Sequence, residues 1–107
     1  MSLELPNPIA AYFTADTNSE AVAQCFTDNA VVKDDGHTYN GVAAIKEWVI
    51  DYSQKYTTTN EPLRSEEQDG KTIVTSRVSG NFPGSPIELR YFFGIEGNKI
   101  AYLDITL

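Results

Sequence analysis

The spacing of the apolar residues changes once along this chain, at Thr57, and that change restricts the fold more than any other feature. Before it, apolar side chains recur three and four apart, as on the buried stripe of a helix. After it they alternate, as on one face of a strand. Three segments carry the helical period. Ile9, Tyr12 and Phe13 mark the first, over residues 8–16, with Asn7 as N-cap and Pro8 at the first helical position, where its missing N–H costs nothing. Val22, Cys25 and Phe26 mark the second, over residues 18–26, which Thr17 and Glu20 open as a capping box. Val42, Ile45, Trp48, Val49, Tyr52 and Tyr56 form the long stripe of the third, over residues 42–56. A short strand from Ala30 to Lys33 and a polar loop from Asp34 to Gly41 separate the second helix from the third.

Strand signals fill the rest. The β-branched run Thr57-Thr58-Thr59 is stiff in the way strands favour. Asp69-Gly70 is a hairpin turn pair, and Lys71 to Asn81 brings Val74, Val78 and then Phe82 into step. Pro83-Gly84-Ser85-Pro86 turns the chain again. Ile87, Leu89, Tyr91, Phe93 and Ile95 then share one face, and Gly97-Asn98 leads into a last strand from Ile100 to Leu107. Helices followed by hairpin-connected strands predict an α+β fold, with the helices covering one face of an antiparallel sheet. A strongly curved sheet wrapped around N-terminal helices makes a cone with a pocket inside. At 107 residues the chain is expected to be a single domain over 1–107, with a core that needs no staples.

Composition removes several functions. Eight Lys and Arg against fifteen Asp and Glu leave a net charge of −7, which repels phosphate backbones, so nucleic acid is not an expected partner. A single cysteine, Cys25, rules out an internal disulfide, and one histidine among scattered carboxylates makes no metal constellation. No metal or cofactor is expected. Nor does any apolar run reach the ~18 residues of a membrane span. Met1-Ser2-Leu3-Glu4 lacks the start of a signal peptide, so a cytoplasmic protein away from membranes is expected.

Two stretches resemble a known superfamily. Phe26-Thr27-Asp28-Asn29-Ala30-Val31-Val32-Lys33-Asp34-Asp35, followed by Asn40-Gly41-Val42-Ala43-Ala44-Ile45, is similar to the usual strand, loop and helix start of the nuclear transport factor two-like fold. Val78 to Pro86, with the hairpin from Leu89 to Ile105, resembles its short SnoaL-like and ketosteroid isomerase-like members. The resemblance covers nearly the whole chain and implies the same cone, also described as cystatin-like. Its relatives include isomerases, polyketide cyclases, dehydratases, epoxide hydrolases and non-catalytic binding modules, so it speaks for fold more than for activity.

The resemblance also suggests where chemistry would sit. Asp34 matches the position of the isomerases' catalytic base, a carboxylate that moves a proton between two carbons of a bound ketone. Apolar walls suit that task by raising its pKa towards neutrality. The isomerases' first-helix tyrosine corresponds to about Ala10. Tyr12 lies two residues further on, about 200° around the helix, and is expected to line the pocket rather than substitute directly. The protonated aspartate of the isomerases corresponds to a position near Tyr91, whose hydroxyl would donate to the enolate oxygen instead.

The residues themselves add a second set of candidates. His37, the only histidine, lies beside Asp34 and Asp35 and is read as a proton relay that tunes Asp34; the alternative is a solvated loop group. Asp35 is placed at the ligand's edge; the alternative for Asp34 is a solvated Asp-Asp-Gly turn with Asp35, and for Tyr91 a core tyrosine among apolar strand neighbours. Trp48 and Tyr52 on the third helix, with Phe93 on the strand face, are expected to wall a small hydrophobic ligand, or simply to fill the core. Two functions stay open: cofactor-free proton transfer on a hydrophobic carbonyl compound, and a non-catalytic module that binds a small ligand or dimerises.

Asp104 depends on register. An even hairpin loop pairs Tyr91 with Asp104 and points it inward, whereas a bulge pairs Tyr91 with Ile105 and points Asp104 outward. The bulge is favoured because Ala101, Leu103, Ile105 and Leu107 then form the apolar set. Phe92 and Tyr102, with Arg77 and Arg90 beside them, fall on the convex face and suit the interface of a homodimer.

Overall fold

The computed structural model describes residues 4–107. Its elements run α1 (Asn7–Ala15), α2 (Ser19–Ala23), β1 (Phe26–Asp34), β2 (His37–Asn40), α3 (Val42–Lys55), β3 (Thr58–Gln68), β4 (Lys71–Gly80), β5 (Ile87–Glu96) and β6 (Lys99–Thr106). The strands form one curved sheet in the order β2-β1-β6-β5-β4-β3, an α+β arrangement with the helices on one face. No helix among the described residues is long and apolar enough to cross a membrane.

Local signals place most of these elements. The stripe on α3 buries Ile45, Trp48 and Val49, with Val42 and Tyr52 packed at the edge of the same core; Tyr56, expected as its last member, falls just past the helix in extended backbone and is exposed. Asp69 and Gly70 both adopt positive φ, 53° and 77°, as a two-residue hairpin turn requires. The bulge in the last hairpin is present: Tyr91 pairs with Ile105, Phe92 pairs with Asp104, and the register shifts beside Gly94 and Ile95. Asp104 therefore lies on the face away from the core. The same shift makes Ala101 the extra residue, and Ile100 takes the fully buried position. Leu107, expected in the apolar set, is exposed at the end of the chain.

Several expectations are corrected. Pro6 rather than Asn7 caps α1, with no side-chain bond. Asn18, not a Thr17–Glu20 box, caps α2, its Oδ1 accepting from the Ala21 N–H at 3.1 Å. The second helix ends at Ala23, and β1 starts at Phe26 rather than Ala30. Val22, Cys25 and Phe26 are all buried, as the helical period implied, but Phe26 pairs with Ile100 of β6. That pairing is parallel, so the expected all-antiparallel sheet contains one parallel neighbour, β1 against β6. A long-range strand partner has overridden a local helical pattern here.

The stretch 34–41 is not a loop but half of a hairpin. Asp35 and Gly36 take φ of 52° and 77° and reverse the chain, so that β2 runs back along β1. This turn belongs to the same Asp-Gly type as Asp69-Gly70. It carries Tyr39 back over Trp48, with ring centroids 6.0 Å apart. Phe82, expected to continue β4, lies in the following turn and meets Tyr56 edge to face at 5.9 Å.

Candidate active site

The helices and the concave face of the sheet do not fill the space between them. A cavity of about 230 Å³ remains, open to solvent on the side of Tyr56 and Asp16. Its walls are mainly apolar: Phe13 from α1, Trp48 and Tyr52 from α3, Leu89 from β5 and Ile105 from β6. Aromatic packing sets their positions. Phe13 meets Tyr91 edge to face at 5.3 Å, and Trp48 meets Tyr52 in the same way at 5.1 Å.

Asp34, the last residue of β1, is half-buried at one end of this cavity. Its Oδ2 accepts a hydrogen bond from Trp48 Nε1–H at 3.0 Å, which orients the carboxylate and leaves Oδ1 outside that bond. Burial pushes its pKa above the usual carboxylate range; the Trp48 bond opposes this, Asp35 adds to the rise, and His37 lowers it. The carboxylate is thus held in place and made easier to protonate, as a reversible proton acceptor needs.

Three phenols share the cavity. Tyr91 is buried on β5, and its oxygen accepts from Asn60 Nδ2 at 2.8 Å, so its own proton is free to point elsewhere. Burial pushes its pKa up to about 12, the Asn60 bond lowers it and the Asp34 charge raises it, so it remains a protonated donor at neutral pH. Tyr12 is also held far above the ordinary tyrosine range, first by burial and then by Tyr91, Tyr52 and Asp34. None of the hydrogen bonds made by the described residues engages its hydroxyl. Tyr52 sits nearer the mouth, its hydroxyl donating weakly to the Asp16 carbonyl at 3.4 Å.

Behind Tyr91 lies a short polar chain. The fully buried Ser76 on β4 donates to Asn60 Oδ1, and Asn60 donates onward to Tyr91. Asn60 and Ser76 sit diagonally across the β3–β4 ladder, where Asn60 pairs with Val78 and Pro62 with Ser76. A fully buried serine bonded to the half-buried Asn60 amide fixes the phenol's rotation, because misplacing either group leaves a polar atom unpaired.

The structure brings Asp34, Tyr91, Tyr12, Trp48 and Tyr52 to one cavity. It does not bring the other three candidates there. Phe93 is fully buried behind the wall, stacked on Tyr91 at 6.1 Å and edge to face with Tyr12 at 5.6 Å, so it supports the site without lining it. Asp35 is used by the hairpin turn. His37 faces Asp34 across the ladder but is exposed, and together they border a shallow outer groove with Asp104 and Thr106. Asp34 and Ile105 are common to groove and cavity, and Asp34 is the titratable one. Phe13, Asn60 and Ser76 join the site beyond the candidates that the sequence offers. Asn60 carried a signal in hindsight, since alternation from Thr58 puts it on the inward face of a strand that otherwise offers few apolar residues. No group of three or more His, Cys, Asp or Glu side chains among the described residues is arranged to hold a metal.

The fold has counterparts among solved structures. A candidate polyketide cyclase from Sinorhizobium meliloti is 38% identical and superposes with a TM-score of 0.91, over 95% of each chain. The chain belongs to the nuclear transport factor two-like, SnoaL-like superfamily. More distant members show the fold alone. A Catenulispora acidiphila protein of ketosteroid isomerase-like fold, solved in complex with trimethylamine, is 16% identical with a TM-score of 0.85, over 97% of this chain and 87% of its own. An NTF2-like protein from Cytophaga hutchinsonii is 13% identical with a TM-score of 0.75, over 99% of this chain and 91% of its own. No family model matches the sequence, and no curated protein matches it significantly.

Proposed function

We propose that this superfamily member is a cofactor-free enzyme that moves a proton on a hydrophobic carbonyl compound. One observation carries the reading: a carboxylate whose pKa is raised by burial shares an apolar cavity with a protonated buried phenol. Asp34 takes the proton from the carbon next to the carbonyl. Tyr91, held by Asn60 and Ser76, donates to the oxygen on which negative charge develops. The apolar wall keeps that charge out of bulk water, where the donor would count for less. Returning the proton from Asp34 to another carbon completes an isomerisation; in a cyclase the enolate carbon instead attacks a second carbonyl carbon, and Asp34 returns the proton to the alkoxide oxygen that this attack creates. His37 lies outside the cavity, and its place is as a solvent-side neighbour of Asp34.

The second reading is a module that binds a small ligand without chemistry. It is favoured by the Trp48 bond, which occupies one of the two carboxylate oxygens. Proton–deuterium exchange at the α-carbon of a cyclic enone separates the two. The enzyme reading expects exchange that Asp34→Asn abolishes and that Tyr91→Phe slows by roughly 10²-fold, the scale of losing one oxyanion donor. Exchange that is absent, or indifferent to Asp34→Asn, leaves the binding module.

A further inference from the structure

The cavity's dimensions and polar groups also define what fits it, an inference that rests on reading this cavity as the ligand site. Its volume is about 230 Å³. An apolar cavity of about 150 Å³ takes up benzene, so by proportion this one holds roughly nine non-hydrogen atoms. Pockets for drug-sized ligands start at about 300 Å³. The space cannot expand cheaply, because its walls are rings locked against one another: Tyr12 on Phe13, Phe13 on Tyr91, Trp48 on Tyr52. Enlarging it means displacing the buried rings of Tyr12, Trp48 and Tyr91 from their core contacts.

Charge narrows the choice further. Asp34 and Asp16 line the cavity, and no Lys, Arg or His does. An anionic ligand would meet carboxylates with no counter-charge. A small tetraalkylammonium ion would find aromatic faces and a carboxylate, which suit it. It would, however, offer no acceptor to the hydroxyls of Tyr91 and Tyr12, and closing a pocket over unpaired donors is costly. A neutral molecule with one acceptor oxygen satisfies the donors and leaves Asp34 to face a C–H bond.

The geometry points to a neutral, single-ring carbonyl compound as the ligand, its oxygen received by Tyr91 and Tyr12 and its ring walled by Phe13, Trp48 and Leu89. A fused four-ring skeleton cannot be enclosed and would leave most of its apolar surface in solvent at the mouth, and a two-ring ketone lies at the limit.

The test is a binding series followed by calorimetry, with the fluorescence of Trp48, the single tryptophan, as a second readout. The ligands are cyclohex-2-enone, a two-ring tetralone, a four-ring steroid enone, benzoate and tetramethylammonium. Cyclohexenone is expected to bind at least tenfold more tightly than any of the others. Tighter or equal binding of the steroid, benzoate or tetramethylammonium overturns the inference, as does failure of every ligand to bind. Running the series on Asp34→Asn separates this inference from the catalytic one. That variant keeps an oxygen acceptor for Trp48, so size selection should survive even where exchange is lost or was never present. Leu89→Ala should bring the tetralone at least tenfold closer to cyclohexenone. Should that variant not fold, Phe82→Ala at the partly exposed rim is expected to give the same shift. Unchanged selectivity in a folded variant refutes the size argument.

Discussion

Replacing Trp48 by phenylalanine would remove one hydrogen bond while retaining an aromatic ring between Tyr39 and Tyr52. The bond runs from Nε1 to Asp34 Oδ2 at 3.0 Å. A bond to an ionised group contributes ~1.5–3 kcal/mol and one between neutral groups ~0.5–1.5 kcal/mol. Asp34 is only half-buried, so solvent screening favours the lower part of the first range. This gives about 2 kcal/mol for the carboxylate and about 1 kcal/mol for the protonated acid. The smaller ring also costs packing, but equally at every pH. The difference between the cost at pH 7 and the cost near pH 3 therefore isolates the charge-assisted part, about 1 kcal/mol. For a domain of this size that is a difference of roughly 4–8 °C in Tm. The sign for Asp34 itself follows: the Trp48 bond holds its pKa down, so the variant's carboxyl should titrate higher. Denaturant unfolding followed by far-ultraviolet circular dichroism, together with a carboxyl-carbon NMR titration of Asp34, reads both effects. An equal cost of substitution at pH 3 and pH 7, or a carboxyl that titrates identically in both proteins, would refute the reasoning.

Asp34→Asn should change how stability depends on pH. Because burial raises the folded-state pKa of Asp34, the wild type is expected to lose stability as pH rises from the ordinary aspartate range through that raised pKa, and the variant should lack this fall. A stability difference between the two proteins that is flat from pH 3 to 8 would contradict it. We also propose that the convex face pairs with a second copy. Phe92 and Tyr102 lie there, with the Arg90 guanidinium 5.0 Å from the Phe92 ring and the Lys71 ammonium 4.9 Å from the Tyr102 ring. Light scattering at high micromolar concentration should show a dimer that Phe92→Glu splits, and a wild-type monomer would count against the proposal.

The first residues to consider for what was legible are those whose structure is set locally. The α3 stripe, the Asp69-Gly70 turn and the alternation of β5 all follow from side-chain period and backbone preference, and each appears in the fold where its pattern placed it. The bulge in the last hairpin was legible too, because only one register buries Leu103 and Ile105 together. Asp35-Gly36 carries the same local turn signal as Asp69-Gly70, but the polar residues around it mask the short strand beyond.

Other features had no local cause to read. Phe26 sits at helical spacing from Val22, yet joins a strand because Ile100, far along the chain, pairs with it. Whether an aromatic residue lines the cavity or fills the core is likewise a matter of assembly. Tyr91 and Phe93 stand two apart on the same face of β5, but Tyr91 borders the open space while Phe93 is enclosed by α1. Asn60 and Ser76 become a support for Tyr91 only when β3, β4 and β5 lie side by side. Apart from β2 and the start of β1, sequence alone determined the order of elements, most of the turns and the inward faces, since these depend on residues within a few positions of one another. Only the tertiary structure decided which inward side chains meet across strands and where the core stops short of filling its space. That void depends on the summed volumes and curvature of elements distant in the chain, which no local pattern encodes.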